Sequence, residues 1–466
     1  MRLLKKYELP WLLLIMLLGV AIRAYFLGQP MRYDEAYTFL TFVNQSFGYL
    51  FYYPLPNNHV LHTLLVKSSV ELFGSHPLTI RLPAFIAGVL NIPLAFLVAK
   101  RLSDQPLSGY FAAFCMAIAP FLILFDTMAR GYSLLILVML LLALGVDALI
   151  KGVRLAYLVG ISGLGALGLF LMPSFLFPLG GLYGWYWLRS GFLPRYWLLW
   201  PLLTALITLV LYTPVIIANG GIDSIIGNRF VASLAWSDWF TRIPQHLSSS
   251  YVSLTRGLNP FAVAASAVVV TAGAIWATWQ KDLRASSLLF VSLFCVSLFL
   301  IMVKRVIPFD RTWIFLLPAF FIALDAVFAK ALGDLSRHFQ LFVQVFLLII
   351  AGIFSVNLMK TDAVANYPDT GYFPEAPVIA EVLLRQKSPG DEWLATTPAV
   401  WPTAFYLWYF GDLEGFMPGR VEPDSQAAQF FVIKPSRYDL SRLAESEIRT
   451  KLLLRLGDAE LHIEQP

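Results

Sequence analysis

Apolar residues run along this chain in blocks of about twenty between residues 10 and 359, separated by short polar connections. A helix rises about 1.5 Å per residue and the hydrocarbon core of a bilayer is about 30 Å thick, so each block can cross it. The blocks fall near 10–27, 82–99, 107–125, 133–150, 155–172, 173–188, 196–218, 260–279, 286–303, 312–329 and 339–359. They predict an α-helical polytopic membrane protein with about eleven transmembrane helices. The opening MRLLKKYELPWLLLIMLLGVAIRAYFLG starts basic, but no small-residue cleavage site follows its long apolar run, so it reads as an uncleaved first span.

The polar connections differ in length and charge. Lys5 and Lys6, Lys100 and Arg101, Lys151 and Arg154, Arg189 and Arg195, Lys281 and Arg284, and Lys330 and Arg337 follow alternate spans. The positive-inside rule places these and the N-terminus in the cytoplasm, and an odd number of crossings leaves the C-terminus outside. The outer side then carries a first loop, 28–81, in which HVLHTLLVKSSVELFG is apolar enough for a helix lying in the interface. It also carries a second long loop, 219–259, whose Trp236 and Trp239 suit the headgroup region. After residue 360 the pattern changes. GDEWLATT and QFFVIKP read as strands, and EAPVIAEVLLRQ and SRLAESEIRTKLLLRL as helices. The expected organisation is a transmembrane domain over 1–360 and a small extracytoplasmic α/β domain over 361–466.

Composition agrees with the pattern: 58% hydrophobic and 14% charged residues exclude an ordinary soluble protein. Cys115 and Cys295 lie in apolar runs, which argues for inert core thiols and against a disulfide framework. The net charge of +5 is explained by cytoplasmic loops, so the implied partner is the lipid bilayer and no nucleic acid. There is no Walker-type phosphate loop.

Against this apolar background a few charged positions stand out. Asp34 and Glu35 form an acidic pair in MRYDEAYTF, just past the first span. A carboxylate at a membrane edge is costly and marks chemistry by default, although the pair could simply mark where the first helix leaves the bilayer. Neighbours on a helix point about 100° apart, so the two carboxylates are not expected to face one substrate atom. Lys304, Arg305 and Arg311 sit in the short connection KRVIPFDRTW, assigned to the outside, where such loops should be poor in cations. Cations held there suit a ligand, and a guanidinium binds phosphate oxygens in a bidentate fork. Arg130 in FDTMARGYSLL and Arg81 in TIRLPAF are further candidates, with snorkelling to headgroups as the plainer reading. His59 and His62 would share a helix face at a spacing open to a metal. Without Cys or a clear third ligand, a structural or substrate-bonding role fits better, and no cofactor is expected.

The order of these elements resembles the GT-C superfamily of polytopic glycosyltransferases. Within it the chain is similar to the protein-mannosyltransferase and aminoarabinose-transferase branch, including bacterial relatives of the RgtA/B/C/D type. The resemblance rests on Asp34 and Glu35 after the first helix, the Pro56–His59 segment containing Asn58, and RLPAF at 81–85. ARGYSL at 129–134, containing Tyr132, and Arg311 ahead of a span with Pro318 complete it. It implies transfer of a sugar, with inversion, from a polyprenyl monophosphate donor to a glycan, lipid or protein hydroxyl at the extracytoplasmic face. Asp34 would be the general base and Glu35 its neighbour. Arg311, with Lys304, Arg305 and Arg130, would hold the donor phosphate, while His59, His62, Asn58, Arg81, Asp126 and Tyr132 would contact the acceptor or support the site. The chain departs from the branch at Met128, where relatives often carry an acid; Asp126 either takes that role or caps the following helix. A polyprenyl-diphosphate glycan ligase or polymerase, and a polytopic transporter, are the alternatives. A transporter should instead place ionisable groups near the midplane on repeated, broken helices.

Overall fold

The computed structural model describes residues 8–103, 105–152, 155–191, 195–227, 232–277, 281–333, 335–367, 370–388, 390–411, 429–436 and 450–464. Lys5, Lys6 and Arg154 lie outside the described residues, as does 441–449 of the stretch read as a final helix. In chain order the helices begin α1 (Glu8–Leu27), α2 (Tyr33–Thr38), α3 (Val60–Phe73), α4 (Pro77–Leu102), α5 (Tyr110–Ile118) and α6 (Pro120–Asp126). They continue with α7 (Tyr132–Ile150), α8 (Leu155–Leu171), α9 (Leu176–Ser190), α10 (Leu199–Ala218), α11 (Asp223–Ile226) and α12 (Trp236–Thr255). Then come α13 (Pro260–Ala277), α14 (Lys281–Lys304), α15 (Leu316–Gly333), α16 (Arg337–Lys360), α17 (Ala376–Gln386) and α18 (Val400–Phe410). Four strands, β1 (Glu392–Ala395), β2 (Phe430–Pro435), β3 (Thr450–Leu456) and β4 (Ala459–Glu464), complete the chain. It divides into two compact units, Met1–Leu27 with Leu50–Ala365, and Gly28–Tyr49 with Asn366–Pro466.

The first unit is a helical bundle. Seven of its helical segments among the described residues are long and apolar enough to cross a membrane, against the eleven expected. Each of the eleven apolar blocks contains helix among the described residues, but three fall short as single spans. Residues 107–125 are split between α5 and α6, and α8 and α9 have 17 and 15 residues. The split has a local cause. Pro120 brings no N–H to continue the ladder and opens a new helix at its first position.

Isolating so short a helix in the bundle would strand its terminal peptide groups, and two charged side chains prevent that. At its N-terminus Asp325 of α15 accepts from the Ser108 hydroxyl (3.0 Å) and from the N–H groups of Gly109, Phe111 and Ala112 (2.8, 3.0 and 3.2 Å). At its C-terminus Arg23 of α1 donates to the carbonyls of Met116 and Ala117, both at 2.9 Å. An anion at the positive end and a cation at the negative end also match the helix dipole. Arg23 is itself neutralised by Asp126 at 2.7 Å, with both side chains buried. Gly88 on α4 makes room for that pair, since a Cβ there would lie 2.2 Å from Asp126 Cγ.

One end of the bundle is tied by charge as well. Asp147 of α7 is met by Arg101 of α4 (2.8 Å), Arg189 of α9 (2.8 Å) and Lys151 (2.7 Å). Elsewhere α9 packs on α14, α4 on α7 and α10 on α8. Cys115 on α5 is half-buried, and Cys295 lies at the surface of the apolar helix α14.

The second unit is a four-stranded sheet in the order β1-β2-β4-β3, with α17 and α18. β1 runs parallel to β2, while β2 pairs with β4 and β4 with β3 antiparallel. The expected strands at GDEWLATT and QFFVIKP and the helix at EAPVIAEVLLRQ are present. Thr450–Leu456 is a strand instead of the expected helix. Its leucine run suits either periodicity, but the two-residue Gly457–Asp458 turn folds it back on β4, and that pairing overrides local preference. The segment 28–49, read as the start of one outer loop, joins this unit. Phe39 of the 28–49 segment packs edge-on against Phe405 and Trp408 of α18, and Tyr37 of α2 against Trp401.

Candidate active site

The acidic pair occupies the first turn of α2. Its two carboxylates are used differently, as their divergence on a helix requires. Glu35 is fully buried and accepts the Arg32 N–H at 2.8 Å, which caps the helix from its own third position. Asp34 is half-buried. Its backbone N–H and that of Tyr33 donate to the carbonyls of Thr370 (3.3 Å) and Gly371 (3.1 Å), so the second unit's own chain fixes the helix start. Gly371 has φ +74°, and a Cβ there would lie 2.4 Å from Tyr33 Cβ, so glycine is required where the two segments meet. Arg32 is buried beneath them, donating to the Tyr367 carbonyl at 2.6 Å and lying over the Tyr372 ring.

In the first unit four expected residues converge. Asn58 donates to the carbonyls of Leu50 and Tyr52 and accepts from Thr63, folding the Pro56–His59 segment onto the start of α3. This sets His59 at the helix entrance, where its Nδ1 accepts the Gly131 N–H at 2.9 Å. Its Nε2 lies 3.2 Å from Arg130 Nη2, and Arg130 Nη1 donates to the Asn57 carbonyl at 2.8 Å. Tyr132 stands edge-on to the His59 ring, and its hydroxyl accepts from Arg311 Nε at 2.9 Å. Arg311 enters from the 3-10 segment Asp310–Phe315, with its guanidinium over the Phe309 ring.

Burial, then the Arg130 charge, then His62 and Arg311 hold His59 well below the usual imidazole pKa. Burial and Arg130 likewise push His62 down to about 3. Both imidazoles are therefore neutral. With Nδ1 occupied as an acceptor, the single His59 ring proton belongs on Nε2, toward Arg130. Two guanidinium groups, an imidazole N–H and a phenol thus meet as a donor-rich cluster suited to a phosphate.

The other expected residues sit apart from this group. Lys304 is exposed at the end of α14, and Arg305 stacks on Trp236. Arg81 is buried in α4 and donates to the Leu27 carbonyl at 2.7 Å, closing the end of α1. Asp126 ends α6 in the Arg23 pair and does not cap the following helix. His62 is buried on α3, one turn past His59, and no group of three or more metal-binding side chains occurs among the described residues. Trp239, expected at the headgroups, is buried and donates to the Val306 carbonyl at 3.1 Å. Sequence reasoning missed Asp310 beside Arg311, and Arg23, although a lone arginine inside a span is itself a signal for a buried partner.

The comparisons with known proteins bear on this arrangement. Residues 58–217, which contain His59, Arg130 and Tyr132, match the family described as dolichyl-phosphate-mannose-protein mannosyltransferase. The match spans 58–217 of the 466 residues, and makes that segment similar to this family. The fold matches ArnT from Cupriavidus metallidurans in the apo state, with TM-score 0.62 and 14% identity, covering 98% of both chains. The same protein bound to undecaprenyl phosphate matches with TM-score 0.59 and 12% identity, covering 97% of this chain and 98% of that one. No curated protein sequence matches this chain. The chain accordingly has an ArnT-like fold.

Proposed function

We propose that this protein transfers one sugar from a polyprenyl monophosphate to an acceptor hydroxyl, with inversion, at the extracytoplasmic face of a membrane crossed by its long apolar helices. The observation that carries the reading is the convergence of Arg130, His59, Tyr132 and Arg311, whose N–H and O–H groups crowd together as donors. A phosphate is the acceptor such a cluster calls for, and ArnT, the protein of like fold, binds undecaprenyl phosphate.

In this reading the reaction breaks the bond between the anomeric carbon and the donor phosphate oxygen. Charge grows on the phosphate as it leaves, so cations held against it stabilise the transition state more than the ground state. Arg311 and Arg130 supply that charge, and the His59 Nε2–H and Tyr132 hydroxyl add neutral donors. The acceptor hydroxyl attacks from the opposite face of the sugar, and Asp34 takes its proton, while Glu35 keeps the helix bearing Asp34 closed.

The test is sugar release by the full-length protein in lipid nanodiscs from a panel of radiolabelled polyprenyl monophosphate sugars, with a crude envelope extract as acceptor. Release by the parent that falls about 10²- to 10⁴-fold in Asp34→Asn is expected for loss of a general base. Turnover only from diphosphate-linked donors would replace this reading with a glycan ligase, and near-normal turnover by Asp34→Asn would remove that residue as base.

A further inference from the structure

The helix α12 presents a row of small hydroxyls that the reaction above leaves unused. His246, Ser249, Ser250 and Ser253 fall at i, i+3, i+4 and i+7, which is one face of a helix. All of them meet Asp310. Its Oδ1 accepts from Ser250 at 2.8 Å and Ser249 at 2.9 Å, and its Oδ2 from Ser253 at 3.1 Å. Ser249 also reaches the His246 carbonyl at 3.0 Å. The His246 Nε2 accepts from Trp313 Nε1 at 2.9 Å, which leaves the ring proton on Nδ1, 3.4 Å from Asp310 Oδ1.

The same helix and its lead-in also hold the start of the 304–313 connection. Ser233 donates to the Lys304 carbonyl, the Leu234 N–H to that of Arg305, and Trp239 to that of Val306. Arg311 is the next residue after Asp310, so whatever fixes Asp310 fixes the root of the arginine. An arginine has many rotamers, and the value of a guanidinium fork is lost by displacements of about 1 Å. Asp310 is also the acid nearest to Arg311 in sequence. With both oxygens engaged by α12, it serves as an anchor for the loop.

We propose that the His246–Ser249–Ser250–Ser253 face of α12 positions Arg311 for the donor phosphate by clamping Asp310. The inference rests on the phosphate role given to Arg311 above. The second outer segment thereby acts on donor binding through a residue that touches no substrate.

A double-mutant cycle in the full-length protein separates this from general loss of structure. The probe is undecaprenyl monophosphate, with its dissociation constant read in nanodiscs for the parent, Ser250→Ala/Ser253→Ala, Arg311→Ala and the combined variant. The serine pair is expected to weaken binding about 5- to 10-fold in the parent and less than about 2-fold once Arg311 is alanine, with threonine at both positions restoring most of the affinity. An equal loss in both backgrounds, or none in the parent, would overturn the positioning role. Should the double variant fold poorly, Ser250→Ala alone reports the same coupling at smaller amplitude. An Arg311→Ala protein that binds the lipid as tightly as the parent would remove the phosphate reading itself and this inference with it.

Discussion

At the scale of single residues, one histidine face shows how burial sets chemistry. His59 and His62 are held neutral by burial and by Arg130, so the folded protein takes up no proton there at mildly acidic pH. The unfolded chain does, below an ordinary histidine pKa of about 6.5. The folded pKa values lie below the unfolded ones, so stability is full above about pH 6.5 and declines as pH falls, by up to about 1.36 kcal/mol per unit for each group. Thermal unfolding in detergent at stepped pH should therefore show a lower midpoint at pH 5 than at pH 7, and His62→Leu should flatten the slope. For Arg311→Ala, removal of one charged donor from a developing oxyanion should slow turnover about 10²- to 10³-fold, measured as kcat on the donor that gives release. Arg311→Lys should recover only part of the loss, because an ammonium cannot reproduce the fork.

Among the elements, α5 is the one whose existence depends most on residues far away in sequence. Asp325→Ala would leave several buried N–H groups of α5 without an acceptor and should destabilise the protein by at least about 3 kcal/mol, read from unfolding in a mild detergent titrated with a harsher one. Arg23→Ala strands Asp126 and should cost about 3–5 kcal/mol, more than the combined Arg23→Ala/Asp126→Ala change does beyond it. These contacts also show what the chain disclosed in advance. Apolar block length located the long apolar helices of the bundle, because bilayer thickness imposes it, but not α11 and α12, which fall in the 219–259 segment read as a loop. The break at Pro120 was not anticipated, although proline at that position carried the signal. The pairing of Arg23 with Asp126, and of Asp325 with a helix more than two hundred positions away, could not be read, because one-dimensional spacing carries no information on which helices meet. Around the candidate site, Arg130, His59, Tyr132 and Arg311 could be picked out by charge and by resemblance. Arg305 could not be separated from Arg311 until the direction of each side chain was known.

For the whole molecule, orientation is the property that the proposed reaction most requires. Lys304→Cys, in a background lacking Cys115 and Cys295, places an accessible thiol in the 304–313 connection. It should react with a membrane-impermeant maleimide added outside intact cells, and labelling only after the cytoplasm is opened would invert the arrangement proposed here. The cluster around Asp147 bears on how the bundle is assembled. A ribosome delivers Arg101 first, then Asp147 and Lys151, and Arg189 last, so the latch on α4, α7 and α9 cannot close until the ninth helix has emerged. A nascent chain stopped after α8 holds the carboxylate with two of its three cations. The charge cluster at this end of the bundle is therefore complete only once α9 has been made.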